Sequence, residues 1–305
     1  RTNIAAQIRK PSGHPVWLST GRHDPNEDPR IMLRHVECVD CHNPHAVAPD
    51  VLKTVNRPTF GMIDATELFV SGLTRSGLKT DLARFEYEVC FKCHADSINR
   101  PRTGTVVRQI TQTNTRLEFQ TTNPSFHPVI GPRNNNDVVS LRPPWRVGSM
   151  VRCTDCHNSD EAGRDPVVGG IALSSGARGP HGSIYAPLLI DNYTTSDFTL
   201  ESPRAYALCY RCHDRQSILN VQSFPLHNQH IVRGRASCAA CHDAHGISRS
   251  QGSSTNHSNL INFDRTVVQP AGSSRRIIFE DRGQYRGSCT LTCHGVVHVD
   301  FRYGD

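Results

Sequence analysis

Cys38-Val39-Asp40-Cys41-His42 is the stretch on which the reading of this 305-residue chain turns, because its form recurs. It returns as Cys90-Phe-Lys-Cys93-His94, Cys153-Thr-Asp-Cys156-His157, Cys209-Tyr-Arg-Cys212-His213 and Cys238-Ala-Ala-Cys241-His242. A sixth copy, Cys289-Thr-Leu-Thr-Cys293-His294, is one residue longer. All 12 cysteines fall into these pairs. C-x-x-C-H is the attachment signature of c-type haem. Two thiols add across the vinyl groups of one porphyrin edge, and the adjacent His supplies the proximal iron ligand. Zinc knuckles do not need a His after every second Cys. A disulfide framework would scatter its cysteines, and a thioredoxin-like motif would occur once. The sequence therefore predicts six covalent c-type haems, with His42, His94, His157, His213, His242 and His294 as proximal ligands.

Eleven of the 17 His remain: His14, His23, His35, His45, His127, His181, His227, His230, His245, His257 and His298. Six irons need six distal ligands, and the three Met occur in no repeated context. Bis-His ligation is the expectation, with a lower potential than Met/His ligation. His45 and His245 follow motif histidines by three residues, a reach of at most about 10 Å. So short a segment does not pass round a porphyrin edge, so each is expected to serve a haem other than the one bound just before it.

An internal repeat points to the distal set. The chain reads as three two-haem modules, 1–100, 101–220 and 221–305, whose paired first cysteines lie 52, 56 and 51 residues apart. Each has one spare His before its first motif and one between its motifs. The six candidates are His14, His45, His127, His181, His230 and His245, with His227 able to exchange with His230 and His298 as a further spare. The simplest pairing follows chain order: His14 with His42, His45 with His94, His127 with His157, His181 with His213, His230 with His242, and His245 with His294. His23 and His257 read as surface residues, and His35 as a neighbour of the first haem.

Only 36% of residues are hydrophobic, while Gly and Pro number 22 and 19. An ordinary core would be thin, and covalent cofactors would replace it. The expected fold is mostly irregular, with short α-helices and a few short β-hairpins wrapped around a chain of six haems. Helices are predicted over Leu82–Ala95, Asp64–Leu73 and Pro203–Asp214, the last with Ser202 as N-cap. Strands are predicted at Thr105–Ile110, Leu117–Phe119, Leu260–Val268 and Arg276–Glu280, the last two as a hairpin. No apolar run approaches the roughly 20 residues of a spanning helix.

The six motifs, Asn43-Pro44-His45, Asp243-Ala244-His245-Gly246 and the His-Pro-Val segments at His14 and His127 resemble the multihaem c-type cytochromes with doubled C-x-x-C-H motifs. These are common in metal-reducing and other anaerobic respiratory prokaryotes. The resemblance covers essentially the whole chain. It implies electron transfer, either as a monomeric periplasmic carrier or as an extracellular filament. Some relatives, including a hexahaem member, polymerise so that a terminal haem takes its distal His from the next subunit. The filament is the favoured expectation, with other redox cytochromes or an extracellular acceptor as partners. A multihaem reductase for nitrite, hydroxylamine or a sulfur oxyanion needs an open iron face, often marked by Lys in place of a motif His. All six motifs here end in His, so a non-enzymatic role is expected. Covalent haem attachment takes place outside the cytoplasmic membrane. The expected location is extracellular or at the cell surface, with the periplasm as alternative, after loss of a signal peptide.

The formal charge is +6, and 30 of the 34 cations are Arg. Two propionates on each haem would more than cancel it. The Arg excess then serves as internal counter-charge, since Arg pairs bidentately with carboxylates. It is not read as a nucleic-acid surface.

Overall fold

The computed structural model describes residues 3–16, 28, 30–33, 35–47, 60–63, 67–96, 104–132, 135, 137–162, 167–168, 171–172, 177–272 and 275–304. The chain forms two compact units. One comprises Arg1–Thr103, Thr113–Leu117 and Met150–Asp191; the other comprises Gly104–Gln112, Glu118–Ser149 and Asn192–Asp305. Residues of the middle sequence module contribute to both.

Most of the described chain is turn and loop, with short helices and small sheets. The helices are α1 (Ile4–Gln7), α2 (Cys38–Cys41), α3 (Glu86–His94), α4 (Thr115–Glu118), α5 (Ala207–Tyr210), α6 (Arg215–Leu219) and α7 (Cys238–Cys241). Two-residue strands form antiparallel bridges: β1 (Ser12–Gly13) with β7 (Gly182–Ser183), β2 (Gly72–Leu73) with β3 (Lys79–Thr80), β4 (Ser125–Phe126) with β8 (Gly246–Ile247), and β5 (Val167–Val168) with β6 (Ile171–Ala172). The larger sheet is centred on β11 (Gly287–Cys293). It pairs with β9 (Val268–Gln269) and β10 (Ile278–Asp281) on one side and β12 (Val296–Tyr303) on the other.

Several predicted elements are reshaped. The helix expected over Leu82–Ala95 begins at Glu86, because the Glu88 carboxylate accepts from the Arg84 and Phe85 amides and fixes the start. Of Pro203–Asp214 only Ala207–Tyr210 is helical: Ser202 caps a turn at Ala205, and Asp214 is the cap of the following helix α6, accepting from the Ser217 amide. Of the predicted helix Asp64–Leu73, residues 64–66 lie outside the described residues, and Gly72–Leu73 is a strand. Leu117 belongs to α4 and to no strand. The segment 105–110 contributes only a bridge, Arg108 to Asp264. The segments 260–268 and 276–280 do not form a hairpin together, since β9 and β10 both pair with β11.

Among the described residues, three small apolar clusters pack against motif cysteines. In the first unit Ala46, Ile63, Leu68, Val70, Ala83 and Val89 pack with Cys41. In the second, Ala205, Tyr206, Tyr210 and Ile231 pack with Cys209 and Cys238. There too, Ile261, Phe263, Val268, Phe279 and Leu291 pack with Cys241, Cys289 and Cys293.

Candidate haem sites

Five motifs are built on a helical turn. In four of them the His amide donates to the carbonyl of the first Cys: His42 to Cys38, His157 to Cys153, His213 to Cys209 and His242 to Cys238, at 2.8–2.9 Å. The second motif lies inside α3. A helical turn brings residues three apart to about 5–6 Å. That places the two thiols close together, where they would meet one porphyrin edge, with the His following directly. All twelve cysteines are free thiols.

In the first unit the residues between the cysteines lock motifs together. Lys92, inside motif two, donates to the Asp40 carbonyl at 2.8 Å and carboxylate at 3.2 Å, inside motif one. Both side chains are buried, at 7% and 3% exposure. The carboxylate of Glu86 on α3 accepts from the Thr154 amide and hydroxyl in motif three. Burial raises the Glu86 pKa against those two bonds. The Cys90 and Cys153 thiols hydrogen-bond to each other. In the second unit Cys209 and Cys238 do the same. There the Arg108 guanidinium donates to the carbonyls of Ala239, Asn262 and His242, bracing motif five.

The spare histidines are positioned by two equivalent clasps, one in each unit. In the first, Gly13 pairs with Gly182, setting His14 beside His181 on the β1–β7 bridge. In the second, Phe126 pairs with Gly246, setting His127 beside His245 on the β4–β8 bridge. His14 Nδ1 donates to the Pro180 carbonyl at 2.7 Å, and His127 Nδ1 to the equivalent Ala244 carbonyl at 2.6 Å. Both clasps require glycine after the second His. A Cβ on Gly182 would stand 1.8 Å from the Gln7 carbonyl oxygen, and one on Gly246 2.2 Å from that of Glu118.

Four pairs of imidazoles face one another within the units. Their ring centroids lie 6.0 Å apart for His14–His94, 5.8 Å for His42–His181, 6.4 Å for His127–His213 and 6.3 Å for His227–His242. Two imidazoles bound trans to one metal, each through a bond of about 2 Å, have centroids about 6 Å apart. In His14, His127, His181 and His242 Nδ1 is committed to a backbone carbonyl, and in His227 it bonds the Ser223 hydroxyl. If a metal were bound, Nε2 would be the ligating nitrogen, the usual division of labour in a metal-bound His. Burial lowers the pKa of His14, His42 and His242, and pushes that of His227 down to about 3. Low pKa values keep these rings neutral, the form that binds a metal.

The rings brought together are not neighbours in chain order. His14 faces His94 rather than His42, and His42 faces His181. His127 faces His213 rather than His157, and His227 takes the place expected of His230. His230 commits Nδ1 to the Leu226 carbonyl and stacks on Phe224. His157 and His245 also commit Nδ1, to the Pro187 carbonyl and the Glu118 carboxylate. His45 is exposed in a 3-10 turn, its amide donating to the Asn43 side chain. His35 donates Nδ1 to the Leu33 carbonyl. His257 is half-buried and bonds the Ser253 amide. His23 lies outside the described residues.

The sixth motif departs from the others. Cys289 and Cys293 lie on β11, and His294 and Gly295 form its two-residue turn into β12, with φ of 50° and 76°. Positive φ at both central positions is the signature of a type I′ hairpin turn. His294 Nε2 bonds the Asp197 carboxylate at 2.9 Å, and Phe198 stacks on the ring at 4.5 Å. Nothing in the spacing of the motif announces Asp197 or Phe198, which lie almost a hundred residues earlier.

The residues at the first five motifs fit c-type haem: the thiols are free and on helical turns, Nδ1 of His157 and His242 is tied to backbone carbonyls, and apolar clusters end at the thiols of motifs one, four and five. The Arg152 Nε, next to Cys153, is buried without a hydrogen-bond partner, and a haem propionate would satisfy it. Among the described residues no three His, Cys, Asp or Glu side chains converge on a metal-ion site, and no helix is long and apolar enough to cross a membrane. No family model, curated protein or solved structure matches this chain.

Proposed function

We propose that this chain is a multihaem c-type cytochrome that transfers electrons along a row of covalently held haems. The observation that carries the reading is the set of four facing imidazole pairs at 5.8–6.4 Å, each combining a motif His with a spare one. When bound, c-type haem exchanges one electron between ferric and ferrous iron. The chain's own residues hold and orient it. The motif thiols anchor it, the clasps fix the distal rings, and the pairs Lys92–Asp40 and Glu86–Thr154 hold consecutive motifs at close quarters. Expression of the full chain with the covalent haem-attachment machinery tests the reading. Intact mass should show six haems, and the reduced protein a c-type α-band with low-spin iron. A haem-free product overturns it, and a large high-spin fraction would favour a reductase.

The filament reading extends this proposal. His45 occupies the place in the repeat held by His181 and His245, yet it is exposed. An exposed spare imidazole suits ligation of a haem in a second copy. It also suits an extracellular polymer that passes electrons to other cytochromes or an external acceptor. Electron microscopy of the purified holoprotein should show filaments. Discrete particles at every concentration would leave the monomeric periplasmic carrier.

A further inference from the structure

We infer that Glu86 is a site at which this chain takes up a proton when an electron enters its first unit. The inference deepens the electron-transfer reading above and rests on it. Three observations converge on this carboxylate.

The first is its place. Glu86 opens α3, the helix that carries the second motif, and stands one helical turn before Cys90. Both of its oxygens reach the third motif: Oε1 accepts from the Thr154 amide at 3.0 Å, and Oε2 from the Thr154 hydroxyl at 2.9 Å. The Cys90 thiol bonds that of Cys153 alongside. The carboxylate therefore lies where two proposed haem-bearing segments meet. The second is its burial. Glu86 is 9% exposed, so it is largely withdrawn from water without being sealed from it. Charge arriving on either segment acts on it through a medium that screens poorly. The third is its company. Arg152 of the third motif favours the ionised form, while Asp155 on the same turn opposes it. Glu67 adds negative charge on the side of Cys90. Asp155 accepts from the Arg152 amide at 2.7 Å. A propionate on the buried Arg152 Nε would offset the cation that faces Glu86. Burial already holds the Glu86 carboxyl above its ordinary 4.5, against the two Thr154 bonds and the Arg152 charge.

The step balances simply. One electron, delivered along the row from a partner redox protein, turns one ferric centre ferrous and removes one positive charge beside Glu86. One proton from solvent forms an O–H bond at Glu86 Oε2. A threonine hydroxyl both donates and accepts, so Thr154 Oγ1 donates to the carboxylate and accepts from the carboxylic acid across the same contact. The added negative charge raises the Glu86 pKa further. Protonation therefore favours the reduced form, and the midpoint potential of the adjacent centre falls as pH rises.

The test is a redox titration of the haem-loaded full chain at a series of values between about pH 4 and pH 8. Wild type should show a potential that falls as pH rises above 4.5. The reduction equilibrium should shift by up to about tenfold per pH unit, the limit for one proton per electron. Glu86→Gln keeps the shape and both Thr154 contacts and should flatten that slope. Thr154→Val removes a bond that favours the carboxylate and should move the falling range to higher pH, a result that does not depend on how well Glu86→Gln loads. The reduced-minus-oxidised infrared spectrum should carry a protonated-carboxyl band that Glu86→Gln lacks. A slope that persists in Glu86→Gln, with or without a constant offset, makes the Thr154 contact structural only and overturns the inference. So does a wild-type potential that ignores pH, or a falling range that Thr154→Val leaves in place. A chain that carries no haem overturns instead the reading on which it rests.

Discussion

At the scale of single residues, the most consequential polar contact is Lys92 on Asp40, each lying between the two cysteines of its motif. The pair is nearly solvent-free. Removing the cation leaves a buried carboxylate without its counter-charge, which costs about 3–5 kcal/mol. Lys92→Met should lower the denaturant midpoint of the holoprotein accordingly, and Lys92→Met with Asp40→Asn should recover part of the loss. Equal stability of both variants would show the pair to be solvated. The facing rings give a second expectation. His181→Ala should turn one haem equivalent high-spin, and mapping should place it on Cys38 and Cys41. Chain order would instead place it on Cys209 and Cys212. The candidate motif cysteines and histidines stand out in the sequence because the proposed attachment chemistry needs residues adjacent in the chain. The ring partners were not legible. Each facing pair is fixed by contacts such as that of His14 with Pro180, made between segments 166 residues apart.

At the scale of elements, the clasps carry the argument, and their glycines are their weak points. Gly182→Ala would drive a methyl group into the Gln7 carbonyl. The β1–β7 bridge would open and release both His14 and His181. High-spin signal from the haems on motifs one and two together, with the others unchanged, is the expected spectrum. The segment bearing His14 is also anchored electrostatically. Lys10 bonds Asp160 and Glu161 at 2.7 and 2.9 Å, and Gln7 donates to Glu161. The Gln7 amide and the Lys10 ammonium hold the Glu161 carboxyl at about 2, below its ordinary 4.5. A depressed carboxyl contributes stability that is present above the ordinary value and lost as pH falls through about 2. Hydrogen exchange in residues 3–16 should therefore accelerate, relative to the rest of the unit, between pH 5 and 2 (window about that wide). Glu161→Gln should flatten this dependence. Element-level reading of the sequence found the capping role of Ser202, though it caps the turn before α5 and not the helix itself. It failed for the β9–β12 sheet, where β11 competes for both strands predicted to pair with each other. The His294-Gly295 turn was hidden because its residues read first as a haem motif.

At the scale of the whole molecule, the proposed haems bear on both the thin apolar composition and the formal charge. The three clusters hold four to six buried residues each and end on motif thiols. On the proposed reading, porphyrin would supply much of what they pack against. The Arg side chains divide their service. Arg116 and Arg215 hold Asp96 and Glu201, and Arg282 and Arg302 hold Glu280 and Asp300. Arg152 keeps a buried Nε unpaired next to a motif. The internal counter-charge expected of the Arg excess is thus partly spent on the chain's own carboxylates, so the propionates of the proposed haems are only partly neutralised by dedicated partners. This bears on a measurable quantity. The polypeptide alone has a formal charge of +6 and an isoelectric point near 8.8. Two propionates on each haem outweigh that charge, while each ferric bis-His core returns one positive charge that reduction removes. The oxidised holoprotein should therefore focus well below 8.8, and the reduced holoprotein lower still. An isoelectric point that stays near 8.8 in both states would mean that few haems are carried. One that falls on attachment yet does not move on reduction would mean that the iron centres do not change charge, and electron transfer would lose its support.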